Sequence, residues 1–197
     1  MSARVLMPLS LIRQQSGRGS TVLAPKVEQP VNELASFSED MRKRGLRPSY
    51  STFSAENAPA RGEAAEALGI KDGAPAFHIR RLLLADDEPI GMSESWLAPW
   101  IFAAGRQPTP DELDAGSLYE WLAKFSGQKI FGARECIEAA LADAAMARRL
   151  EVAPGSALLV ARRRSHAEDR RPIEYVILHY RPDRYRFIIE LAGNSAP

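Results

Sequence analysis

Cysteine is almost absent from this chain: one residue, Cys136, in 197. A single thiol excludes an internal disulfide and a cysteine-rich zinc site, and it points to a reducing, cytoplasmic compartment. Histidine is scarce as well. His78, His166 and His179 stand far apart, without the short spacing of a metal site, so no metal is expected. No apolar run approaches the roughly 20 residues of a membrane span. The opening MSARVLMPLSLIRQQ lacks the apolar stretch and small-residue cleavage site of a signal peptide. An excess of one charge is missing too. Against 26 Lys and Arg stand 25 Asp and Glu, a formal net charge of +1, which implies neither a nucleic-acid-coating protein nor an acidic tail. Gly17-Arg18-Gly19 is too short for a phosphate loop and precedes no helix. No activated nucleophile surrounds Cys136, and no element carries a paired acid and base, so neither catalysis nor a cofactor is expected.

What the chain does contain is enough apolar residue, 45%, for one sizeable core. Residues 1–31 read as loosely structured, with Pro25 and Pro30 marking a linker. Asn32 is a good cap for a helix running to Arg44 and ended by Gly45. Pro48 opens a β-prone stretch through Phe53, and Arg61–Leu68 reads as a short helix closed by Gly69. Ala76–Ala85 and Glu88–Leu97 form a hairpin about Asp86-Asp87, and Pro99–Ala104 reads as a brief helix. Ser117 with Glu120 makes a capping box for a helix to Phe125. Lys129–Ala142 reads as a strand, Asp143 caps a helix through Leu150, and Ala157–His166 and Pro172–Arg181 are strands split by a turn at 168–170. Arg186–Leu191 is a last short strand. The order predicts an α+β domain around one mainly antiparallel sheet.

Two arginine groups lie inside otherwise apolar strands: Arg80-Arg81 and Arg162-Arg163-Arg164. Successive strand residues point to opposite faces, so one arginine of the first pair shares a face with Ile79 and Leu83. Such a residue is either a solvated strand charge or a planar fork for a carboxylate or phosphate. In Pro172–Arg181, Glu174, Val176, Leu178 and Tyr180 share one face, and both faces are largely apolar. That predicts a central strand covered on both sides. A carboxylate there needs a partner, an arginine or a polar ligand. Met92 and Glu94 share a face of the returning hairpin strand.

Several motifs, in order, resemble the UTRA domain, the effector-binding domain of GntR-type regulators of the HutC-like subfamily. They are Leu68-Gly69-Ile70, His78 to Ile90, Glu94-Ser95-Trp96-Leu97, Ser117-Leu118-Tyr119-Glu120, Glu135 to Asp143, Arg171 to Tyr175, and Tyr180 to Phe187, with Ala35 to Met41 and Arg44-Gly45 at the first helix. The resemblance spans about residues 33–191. It implies a chorismate-lyase-like fold over residues 32–192, with 1–31 holding a remnant of a winged-helix wing (Leu11-Ile12-Arg13 and Ser16 to Val22) and a linker. Ten preceding residues cannot hold the three helices of a DNA reader. The resemblance therefore implies a homodimeric sensor of a small-molecule effector, engaging operator DNA only with a complete winged helix. Its ligand-binding residues carry over as Phe37, Ser38, Arg81, Ser117, Glu174 and Tyr180, with Met92 and Glu94 as walls and Arg164 or Arg162 as a second cation. Sugar-phosphate sensors of the family resemble Arg-Leu-Arg where this chain has Arg81-Leu82-Leu83, which shifts the expected effector toward a small carboxylate. A dimerising interaction module without DNA binding and a lyase-like enzyme are the rival readings.

Overall fold

The computed structural model describes residues 12–15, 19–22, 26–30 and 34–191. Strands β1 (Ile12–Gln15) and β2 (Gly19–Val22) pair antiparallel where the wing was expected; the intervening Ser16-Gly17-Arg18 and the proposed cap Asn32 lie outside the described residues. Part of the predicted linker is a strand instead. β3 (Val27–Pro30) pairs in parallel with β10 (Tyr185–Ile188) near the other end of the chain.

The centre is a six-stranded sheet in the order β4-β5-β6-β9-β8-β7, every neighbouring pair antiparallel. Its strands are β4 (Pro48–Pro59), β5 (Pro75–Ala85), β6 (Glu88–Leu97), β7 (Gly132–Leu141), β8 (Ala157–His166) and β9 (Pro172–Tyr180). The α+β expectation holds, and β9 is interior, as its two apolar faces require. The Asp86-Asp87 turn is a two-residue hairpin with positive φ at both residues, 50° and 67°, a conformation aspartate tolerates better than most side chains.

Among the described residues, five short helices surround the sheet: α1 (Phe37–Lys43), α2 (Glu63–Leu68), α3 (Pro110–Asp114), α4 (Leu118–Phe125) and α5 (Ala144–Leu150). Pro99–Phe102 is a 3-10 turn. α1 starts five residues later than predicted. Ser36 is its cap, with a full capping box to Glu39, which satisfies first-turn amides that Asn32 was expected to serve. Ser117 does cap α4, but its hydroxyl accepts from the Tyr119 amide, and Glu120 bonds Arg42 on α1 instead of closing a box. Gly69 ends α2 in the left-handed conformation. Among the described residues no helix is long and apolar enough to cross a membrane.

Two core clusters divide the interior. One gathers α2, α4 and the 3-10 turn around Phe77, Leu97, Trp121 and Tyr175. The other holds α1, β3 and β10 against Leu83, Val176, Leu178 and Tyr180. A third, smaller cluster seats α5 against the sheet through Leu150, Leu158 and Met92.

Candidate functional site

The inner face of the sheet is set by strand register. Arg81 pairs with Ser93, Ile79 with Ser95, Ser95 with Val176, and Ser165 with Glu174. Side chains of directly paired residues share a face. Arg81, Ser93, Ser95, Arg163, Glu174, Val176, Leu178 and Tyr180 therefore line one side, where α1, α4 and β3 cover them around a narrow cleft with about 520 Å³ of empty space counted out to its mouth.

Arg81 is buried, with its guanidinium over the Tyr50 ring at 4.4 Å from the centroid. One of its nitrogens donates to the Leu113 carbonyl at 3.3 Å, while Nε has no partner. Burial pulls its pKa down, and the Tyr50 ring and the Glu174 carboxylate oppose that; a guanidinium remains charged in proteins. Arg163, also buried, forms a two-pronged ion pair with Glu135 at 3.2 and 3.1 Å and leaves its Nε unpaired. Burial works against its charge, but the neighbouring Tyr119 and Glu135 outweigh it, and its pKa rises.

Glu174 sits between these arginines and is buried. Its Oε2 accepts from the Tyr119 hydroxyl at 3.0 Å. Burial raises its pKa, offset in part by hydrogen bonds from Ser95 and Tyr119 and by the two guanidinium groups. The same burial pushes the Tyr119 phenol up to about 12. At the far end Tyr180 stacks on Tyr185 with centroids 3.9 Å apart, and the Tyr185 hydroxyl donates to Gln29 of β3 at 2.6 Å. Gly91 makes the Tyr180 position possible: a Cβ there would lie 2.7 Å from the His179 carbonyl and from the Tyr180 ring.

Of the residues expected from the sequence, Phe37, Arg81, Ser117, Glu174 and Tyr180 line this cleft. Ser38 stands directly behind it, fully buried and hydrogen-bonded to the Tyr50 hydroxyl. Met92, Glu94 and Arg164 do not join them. Continuing the Ala85–Glu88 hairpin without interruption would pair Arg81 with Met92. A bulge between Leu83 and Leu84 instead pairs Leu83 with Gly91 and Arg81 with Ser93. One extra residue exchanges the two faces of a strand, so Met92 and Glu94 point outward, and Glu94 bonds His78 Nε2 at 2.9 Å. The inward arginine of the 162–164 run is Arg163. Arg162 bonds Glu138 at 2.9 Å and Glu63 at 3.1 Å on the outer side, and Arg164 lies 3.3 Å from Glu66 and 3.6 Å from Glu63. The cleft also uses Gln29, Tyr50, Ser93, Ser95, Tyr119 and Arg163. Ser165↔Glu174 register was the signal for Arg163; nothing local in the sequence marks Gln29.

A buried arginine pair, one carboxyl of raised pKa and serine hydroxyls thus line one cleft. Comparison with known proteins fixes the family. The UTRA domain family matches residues 43–186. The chain belongs to the UTRA domain family. It is 29% identical over 181 residues, 92% of its own length, to the HTH-type transcriptional regulator Rv0792c of Mycobacterium tuberculosis, and spans 66% of that relative. The UTRA chain superposes on PhnF from Mycobacterium smegmatis with a TM-score of 0.76 at 25% identity, covering 93% of this chain and 79% of that one. It is also similar to the ligand-binding domain of a protein described as a GntR-family transcriptional regulator from Bordetella bronchiseptica: TM-score 0.67, 26% identity, 83% of this chain and 94% of that one. The curated relative is named as a transcriptional regulator, not as an enzyme.

Proposed function

We propose that this UTRA chain is the effector-sensing part of a GntR-type, HutC-like transcription regulator of the bacterial cytoplasm, and that its inner cleft binds a small anionic metabolite. The observation that carries the reading is a set of unpaired donors converging on that cleft. Arg81 Nε, Arg163 Nε and the Ser93 hydroxyl are buried without hydrogen-bond partners, and a buried donor left unmade costs about 1–3 kcal/mol. An anion held in the cleft would bring acceptors toward these donors. Arg163 is already neutralised by Glu135, so of the two cleft arginines Arg81 is the one without an ion pair among the described residues, and Leu83 occupies the next inward position of its strand. That charge count favours a monocarboxylate over a doubly charged sugar phosphate.

Gln29 belongs both to the cleft and to β3, the strand that leads back toward the N-terminal residues. Ligand occupancy is thereby tied, through Tyr180, Tyr185 and Gln29, to the segment where a DNA reader is expected. Operator binding belongs to a protein with a complete winged helix. The homodimer is assigned to the β7 edge, a ten-residue strand with exposed Ile137 and Leu141 and no partner on its outer side among the described residues, a template for pairing with a second copy.

A thermal-shift screen of small carboxylates against hexosamine phosphates tests the ligand reading. A carboxylate at a hundredfold excess over its Kd is expected to raise Tm by about 5–10 °C. A clear preference for hexosamine phosphates overturns the monocarboxylate assignment. Ile137→Lys is expected to convert a dimer to a monomer in light scattering; a monomeric parent chain overturns the β7 interface.

A further inference from the structure

The outer face of the sheet carries a cavity of its own. It lies between α5 and strands β4, β5, β6 and β9, with about 820 Å³ of empty space counted out to its mouth. Phe53, Met92 and Met146 form its apolar wall, and Arg80, Arg149 and His179 its polar one. Of its lining residues, Ser93 alone also borders the inner cleft.

The sign of the ligand follows from which charges are already committed. Glu94 at the rim is held by His78 at 2.9 Å. Asp143 caps α5, accepting from the Met146 amide at 2.7 Å. Arg80 stands across the ladder from Glu94 and helps to lower its pKa, but among the described residues neither Arg80 nor Arg149 lies within ion-pairing distance of a carboxylate, and each rests against the same ring. The Arg149 guanidinium sits 3.8 Å from the Phe53 centroid and that of Arg80 5.6 Å. Two cations gathered on one ring repel each other, and an anion between them relieves that repulsion.

The backbone supports the same arrangement. Phe53 is the extra residue of a bulge in β4: Thr52 pairs with Arg81 and Ser54 with Arg80, leaving Phe53 without a partner on β5. Bulges of this kind re-aim a side chain and gather beside binding sites. Here the bulge brings an aromatic ring to two arginines, next to thioethers that adapt readily to a flat ring and favour contact with it.

We infer that this outer cavity is a second small-molecule site, separate from the effector cleft, that takes a flat aromatic anion: its ring against Phe53, Met92 and Met146, its carboxylate or sulfonate between Arg80 and Arg149. The inference does not depend on the effector reading, because the two cavities share no charged residue.

2-Naphthoate, titrated into the full chain and followed by ligand-observed NMR, tests it. Binding is expected to weaken about tenfold or more in Arg80→Gln/Arg149→Gln, the loss of charge-assisted hydrogen bonds, and to stay within about twofold in Arg81→Gln. Ala145→Trp, at the exposed rim, blocks the cavity while keeping both charges and is expected to abolish binding; a thermal melt of each variant confirms folding. Undiminished binding in the double variant or in Ala145→Trp overturns the site, as does no binding at millimolar probe. Loss in Arg81→Gln alone also overturns it and assigns the probe to the inner cleft, which leaves the effector reading standing.

Discussion

The two faces of the central sheet use the same residue types in opposite ways. On the inner face Arg81 and Arg163 are buried, each with an unsatisfied Nε, around a carboxyl whose pKa burial raises. On the outer face Arg162 and Arg164, one position away on the same strand, are partly exposed and tied to Glu63, Glu66 and Glu138. Burial without full pairing is costly and is retained where a ligand can complete it. Exposed pairs satisfy themselves and contribute about 0–1 kcal/mol each. Between the proposed binding surface and the paired arginines Arg162 and Arg164, the difference is therefore one residue of strand register.

Gly91→Val probes that comparison most severely. The new Cβ would meet a backbone carbonyl and the Tyr180 ring at 2.7 Å, and neither can retreat without shifting the pairing of β6 with β9. We expect a loss of about 3 kcal/mol, or roughly 6–12 °C in Tm, by calorimetry. The outward neighbour provides the contrast: Met92→Leu conserves volume and is expected to cost less than about 1.5 kcal/mol. Equal costs at the two positions would refute the claim that the inner face is the constrained one.

Arg81→Met is expected to separate binding from stability. Affinity for a carboxylate effector should fall about tenfold to a hundredfold, the loss of a charge-assisted hydrogen bond in a dry site. Stability should hold or rise, because an incompletely paired buried cation is replaced by an apolar side chain. Isothermal titration with an effector found by the thermal screen reads the first quantity, and denaturant unfolding the second. Arg80→Met on the outer face should leave effector affinity unchanged; a comparable loss there would remove the distinction between the faces.

Glu174 makes the comparison pH-dependent. Its folded pKa is raised by burial, so the folded chain binds more protons than the unfolded one between the unfolded value, about 4.3, and the folded value. Stability contributed by this group is then fully present below the unfolded pKa and is lost as pH rises to the folded pKa. Glu174→Gln, which keeps an acceptor for the Tyr119 hydroxyl, removes that loss. The variant should gain on the parent as pH rises through this window and hold a constant advantage above it. Each unit by which the two values differ corresponds to about 1.4 kcal/mol. A parallel pair of stability curves from pH 4 to 8 would mean that Glu174 is not held in the protonated direction.

Much of this arrangement was legible in the sequence, and the failures share one cause. The alternation within Pro172–Arg181 placed Glu174, Val176, Leu178 and Tyr180 together, because period two needs no information from other strands. The Asp86-Asp87 turn and the caps at Ser117 and Asp143 were visible for the same local reason. Met92 and Glu94, carried over from the resemblance as walls, point outward because of the bulge at Leu83/Leu84, which is a property of the pair β5 and β6 and not of either strand. Arg163 was passed over for Arg162 and Arg164 because only the Ser165↔Glu174 register decides which arginine of three faces inward. Gln29 depended on a parallel pairing of segments more than 150 residues apart, between Val27–Pro30 and Tyr185–Ile188; no local pattern encodes that.

Arg164→Ala should have the smallest effect, and its smallness is informative. Arg164 keeps 41% of its side chain exposed, and its contacts at 3.3 and 3.6 Å reach carboxylates of Glu66 and Glu63 that are themselves 73% and 44% exposed. Water competes for both partners, and holding two long side chains in one geometry costs conformational entropy. The expected change is within about 0.5 kcal/mol in stability and nil in effector affinity. Arg163→Ala, one residue earlier on the inner face, strands Glu135 and removes a cleft donor, so both quantities should fall. Measuring the two variants side by side tests register alone, since the residue type, the substitution and the strand are the same. An Arg164→Ala chain that lost effector binding as Arg163→Ala does would place the functional arginine on the outer face and overturn the site described above.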